Sequence, residues 1–91
     1  MKGAQILLSQ KFYPDPDINS FVRIPASNPH PLNTEYYVSL GCEIINGIPH
    51  RGIKILLAYD DNPPDGRRNV FYPNKEDLTH VMEAAQVLLS K

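Results

Sequence analysis

Tyr36, Val38, Leu40, Cys42 and Ile44 alternate with Ser39, Gly41 and Glu43. That period of two predicts a half-buried strand from Tyr36 to Ile45. Asn46-Gly47 follows at once, and this dipeptide suits the positive φ angles of a type I′ hairpin turn, so an antiparallel partner is expected next. Its regular part runs Gly52 to Asp60, where Ile53, Ile55, Leu57 and Tyr59 alternate with Lys54, Leu56 and Ala58. Pro49 and Gly52 predict an irregular or bulged start to it. Weaker alternation predicts strands over Ala4 to Tyr13 and Arg67 to Tyr72, and Asn19 to Ile24 is expected as a short strand continuing or returning from the first.

After Pro73-Asn74 the period changes. Leu78, Val81, Met82, Ala85, Leu88 and Leu89 recur at steps of three and four, the stripe of an amphipathic helix expected to cover the sheet. Asn74 is the expected N-cap, Asp77 can reach back as a shortened capping box, and Glu76 and Asp77 suit the positive end of the helix dipole. The nine prolines cluster at Pro14 and Pro16, at Pro25, Pro29 and Pro31, and at Pro63-Pro64, and they mark turns and surface loops between the elements. The fold class expected is α+β: a curved antiparallel sheet of four to five strands followed by one C-terminal amphipathic helix.

Composition narrows the functional classes. Ninety-one residues allow one small domain, 1–91, and 42% hydrophobic with 21% charged residues are ordinary globular values. A chain this short leaves much surface wet, which makes dimerisation a source of extra stability. Nine Lys+Arg against ten Asp+Glu give a charge of -1, so any nucleic-acid binding must be local rather than driven by a global basic field. One cysteine excludes an intramolecular disulfide and points to a reducing compartment, the cytoplasm. No stretch approaches a membrane span or a signal-peptide core.

Candidate chemistry is sparse. Cys42, His30, His50 and His80 lack metal-motif spacing, and parity puts Cys42 on the apolar strand face, the position of an inert thiol. The loop Asp60 to Gly66 fails the calcium-loop pattern, which requires Asp or Asn where Pro63 stands and Glu where Tyr72 stands. No nucleophile triad or phosphate loop is present, and the least implausible catalytic centre is Cys42 activated by His50. The expectation is therefore a chain that is not an enzyme and uses neither metal nor cofactor. The remaining feature is a set of cations and aromatics on the sheet: Lys54, Arg67 and Arg68 with Tyr36, Tyr37, Tyr59, Phe71 and Tyr72, and Arg51 near the turn. Such sets bind single-stranded nucleic acid, bases stacking on rings while cations meet phosphates.

Gly-Ile-Lys-Ile-Leu-Leu-Ala-Tyr, a polar Asp-Asp-Asn-Pro-Pro-Asp-Gly loop, Arg-Arg-Asn-Val-Phe-Tyr-Pro-Asn-Lys-Glu-Asp-Leu and a closing helix lie within residues 36–91. In this order they resemble the ββββα unit of the PUR-alpha and Whirly group of single-stranded nucleic-acid-binding proteins. The resemblance implies a strongly curved sheet, a helix-mediated homodimer, and contacts to single-stranded DNA or RNA from exposed strand faces. It places Lys54, Arg67, Arg68 and Phe71 at strand positions of the binding surface, to which the aromatic and cationic set adds Tyr37 and Arg51. The segment from Pro25 to Pro31 and the acidic balance depart from the group's pattern. A protein-interaction module of the same fold, with no nucleic-acid binding, is the alternative.

Overall fold

A computed structural model describes residues 12–60, 62, 64 and 69–91. Four antiparallel strands, β1 (Phe12–Pro14), β2 (Phe21–Pro25), β3 (Thr34–Ile45) and β4 (Ile48–Tyr59), form one sheet, and a single helix α1 (Lys75–Leu89) follows. The chain is thus α+β, as its periodicity predicts. Its expected first strand lies mostly outside the described residues, and only its end is seen as β1.

β3 organises the sheet. β4 pairs with it along its whole length, from Thr34↔Tyr59 to Ile45↔Ile48, which uses one of its two edges. β1 and β2 therefore share the other edge end to end: Phe12–Pro14 pair with Gly41–Glu43, and Phe21–Pro25 pair with Glu35–Ser39. They form one interrupted strand, and residues 15–20 bulge out between them. The Asp15 amide bonds the Leu40 carbonyl as the chain leaves, Asp17 caps a 3-10 turn over Ile18–Ser20, and the Ser20 hydroxyl donates to the Asp15 and Asp17 carbonyls.

The β3–β4 turn is the expected two-residue hairpin, Asn46 and Gly47 standing at φ 53° and 79°. The irregular start expected for β4 is not found. Pro49 sits in register opposite Ile44, because every second N–H of an edge strand points away from its neighbour and a proline there costs no ladder bond. Nor is the described part of Arg67 to Tyr72 a strand: residues 69–72 run irregularly along the helix side of the sheet. There the Phe71 carbonyl accepts from Tyr36 Oη at 3.3 Å and His30 Nε2 at 2.7 Å, while Val70 and Tyr72 pack on the core. Side chains meet the backbone needs that a strand ladder would otherwise meet.

The core lies between one sheet face and α1, built from Ile24, Tyr36, Val38, Leu40, Leu57, Val81 and Leu88. The helix is rotated from the expected stripe. Its buried positions are Asp77, Val81 and Leu88, with Ala84 and Ala85 partly covered, whereas Leu78, Met82 and Leu89 are exposed, Met82 by 40%. Asn74 is the N-cap, accepting from the Asp77 amide at 2.7 Å. The Asp77 carboxylate does not close a capping box, because it turns inward to Ser27 and Tyr36. Among the described residues, no helix is long and apolar enough to cross a membrane.

Candidate functional site

Strand parity sorts the candidates. Residues paired as Arg23–Tyr37–Leu56 and Phe21–Ser39–Lys54 point away from α1, on a sheet face that carries no helix among the described residues. On this face Phe21 and Tyr37 stack with ring centroids 5.7 Å apart and planes 2° from parallel. The Arg23 guanidinium lies 5.8 Å from the Tyr37 centroid, and its Nη1 donates to Tyr37 Oη at 3.3 Å. Tyr37 thus stacks on Phe21 and also holds the Arg23 guanidinium, a favoured partner for an aromatic ring.

Beside the stack runs an apolar groove of about 460 Å³, walled by Phe12, Pro14, Pro16, Phe21, Tyr37 and Leu56. Buried Ser39 also lines it, with Asp15 and Asp17. The groove lies where β1 and β2 are interrupted: Asp15, Pro16 and Asp17 of the excursion form part of its wall. Gly41 is needed beneath this wall, since a Cβ there would meet the Tyr13 carbonyl, Phe12 Cζ at 2.6 Å and Pro14 Cα at 2.9 Å. At Tyr37 the groove meets a polar pocket of about 280 Å³ lined by Arg23, Asn33, Glu35, Tyr37, Ala58 and Asn62.

The cations of this face are paired. Arg23 Nε lies 3.5 Å from Glu35 Oε1, and Lys54 Nζ lies 2.6 Å from Glu43 Oε1. Both pairs are partly exposed to water, which weakens such contacts and lets an incoming anion compete for the cation.

Of the residues expected at the site, Tyr37 and Lys54 lie on this face. Arg51 does not: it pairs opposite Cys42, shares that residue's parity toward the helix side, and holds Asp15 through two bonds of 3.3 and 2.8 Å. Phe71 is 60% exposed but lies on the irregular segment beside His30, not on a strand and not with Tyr37. Arg67 and Arg68 fall outside the described residues. Phe12, Phe21, Arg23 and Leu56 are not among the residues expected at the site, although Phe21 and Arg23 lie within the short strand expected over Asn19 to Ile24. Cys42 is half-buried, and His50 sits opposite Glu43, so the two stand on opposite sheet faces.

A second cluster lies on the helix side. Asp77, 3% exposed, accepts from Ser27 Oγ at 2.6 Å, the Ser27 amide at 2.9 Å and Tyr36 Oη at 2.7 Å. Burial pushes its carboxyl up, but the Ser27 and Tyr36 bonds and nearby His30 outweigh this and hold it below the ordinary 3.8. Burial, followed by the Asp77 hydrogen bond and charge, pushes the Tyr36 phenol well above the ordinary tyrosine range. Each polar atom of this strut has a partner within the fold, and its chemistry is to hold α1 on the sheet.

Searches against protein-family models, curated proteins and solved structures find no match for the chain.

Proposed function

We propose that the chain is a non-catalytic single-stranded DNA- or RNA-binding domain of the PUR-alpha and Whirly kind, working as a cytoplasmic homodimer. The observation that carries the proposal is the Phe21–Tyr37 stack, with Arg23 held by Tyr37, beside an apolar groove on the uncovered sheet face. Unpaired bases expose flat apolar surfaces, and each base stacked on an aromatic ring contributes roughly 1–3 kcal/mol. Phe21, 38% exposed, offers the outer ring face, and the groove accommodates the neighbouring base. Arg23 and Lys54 meet phosphates by exchanging their carboxylate partners for phosphate oxygens. Duplex DNA hides the base faces and is not the ligand.

The dimer proposal rests on Leu78, Met82 and Leu89, which line an exposed side of α1, and on the outer edge of β4, with which no described strand pairs. Such edges and apolar strips are covered by partners in stable proteins.

Binding of a labelled single strand across a salt series, with Phe21→Ala beside the parent chain, tests the function. Affinity should fall as salt rises and should drop about tenfold in the variant. Absence of binding at low salt refutes the proposal. Asp15, Asp17, Glu35 and Glu43 flank the same face and favour the second reading, a protein-interaction module for a basic, apolar segment. A nuclease-resistant partner that competes at Phe21 would establish that reading instead.

A further inference from the structure

The apolar groove is built over small residues. Gly41, Ser39 and Tyr37 succeed one another on the open face of β3, and the Phe12 ring lies over Gly41, where a Cβ would meet its Cζ at 2.6 Å. Phe21 pairs opposite Ser39, and Leu56 opposite Tyr37. The groove therefore has a small-residue floor at Ser39, the Phe12 ring toward one end and the Phe21–Tyr37 stack toward the other.

Its charge is one-sided. Asp15 and Asp17 line it, and none of the described lining residues is Lys, Arg or His. Arg51 balances Asp15 by donating to both of its carboxylate oxygens. Asp17 accepts from the Asn19 amide through Oδ1 and has no cationic partner among the described residues. A small anion thus finds no counter-charge in the groove. A primary ammonium brings three N–H donors, which an apolar lining leaves largely unmet. A quaternary ammonium brings positive charge under an apolar methyl surface with no donor to satisfy, and ring faces attract it. These rings already hold one cation: the Arg23 guanidinium lies 5.8 Å from the Tyr37 centroid, with Glu35 balancing its charge at 3.5 Å. We propose that the groove, about 460 Å³ in volume, binds a small organic cation of the quaternary ammonium class. Its methyl groups pack between Phe12 and Phe21 over Ser39, and Asp17 balances its charge. This site goes beyond the function proposed above and does not depend on it.

The test titrates the chain at constant ionic strength with choline, with dimethylbutanol, its neutral isostere in which carbon replaces the quaternary nitrogen, and with the primary amine ethanolamine. Binding is read from the amide resonances of Phe21, Tyr37 and Ser39. Choline should bind about tenfold more tightly than dimethylbutanol, the worth of a cation on aromatic faces, and ethanolamine should bind more weakly than choline. Phe21→Leu keeps an apolar side chain but removes the ring, so the choline-to-dimethylbutanol ratio should fall toward one. Asp17→Asn keeps a side chain able to cap the 3-10 turn and should weaken choline while leaving dimethylbutanol unchanged. Equal affinity for choline and dimethylbutanol, ethanolamine binding as tightly as choline, or no saturable shift at these three residues overturns the inference. Each of those results leaves strand binding to its own salt series, and a chain that binds choline but no strand loses the proposed function and keeps the cation site.

Discussion

Tyr36 Oη donates to Oδ2 of Asp77 at 2.7 Å, and this bond fastens the central strand to the first turn of the helix. Both residues are buried, so each would strand the other if it changed. Tyr36→Phe should lower stability by about 1.5–3 kcal/mol, the usual worth of a hydrogen bond to a charged group. Asp77→Ala should cost more, because it also leaves the Ser27 hydroxyl and amide without their acceptor. Urea denaturation checks both, and a Tyr36→Phe midpoint equal to that of the parent would show that the strut carries no stability.

The same carboxylate sets an acid limit. Its folded pKa lies below the ordinary 3.8, so its stabilisation is present above that value and is lost as pH falls through the lower folded value. The stability gap between the parent and Asp77→Asn should be widest well above 3.8 and should narrow as the pH falls below it. Thermal melts across that range measure it. A gap independent of pH would mean that the Asp77 charge is not what holds the contact.

Much of the scaffold was legible because its signals are local. Val38 to Ile44 alternates without a break, Asn46-Gly47 specifies its own turn, and Asn74 announces the helix start. What escaped depends on tertiary partners. Asp77 shares the helical period of Val81 and Leu88, yet a carboxylate is not counted as core until Ser27 and Tyr36, distant in sequence, supply its donors. The Arg67 to Tyr72 pattern alternates like a strand, but its described part meets side chains from Tyr36 and His30 where a strand would need a ladder. At the candidate site, Tyr37 and Lys54 are legible as members of the cationic and aromatic set on the strands. Phe21 was missed because the Asp15 to Ser20 excursion hides that β1 and β2 continue one line along β3.

Gly41 and Gly52 face each other across β3 and β4, yet they should respond differently to a methyl group. Gly41→Ala drives Cβ into the backbone and ring of β1, so it should cost about 1–3 kcal/mol and displace the groove wall. At Gly52 a Cβ meets nothing within 4 Å, and Gly52→Ala should be neutral or slightly stabilising. Paired melting curves decide this, and equal losses at both sites would contradict the packing of β1 over Gly41.

Val81 and Met82 are adjacent but face different surroundings, the first wholly buried and the second exposed. Val81→Asp should unfold the chain, since an unpaired buried carboxylate costs several kcal/mol or more. Met82→Asp should leave the folded protomer intact while halving the mass seen by sedimentation, if the proposed dimer forms through this side of α1. A parent chain that sediments as a monomer at high concentration would remove the dimer from the proposal.

Amide resonances followed during titration with a single-stranded oligonucleotide test the binding face most directly. Shifts should concentrate on Phe21, Arg23, Tyr37, Ser39 and Leu56, leave the Val81 and Leu88 amides in place, and vanish in Phe21→Ala. Saturable shifts confined to α1 or to the segment around Phe71, with the open sheet face unmoved, would contradict it.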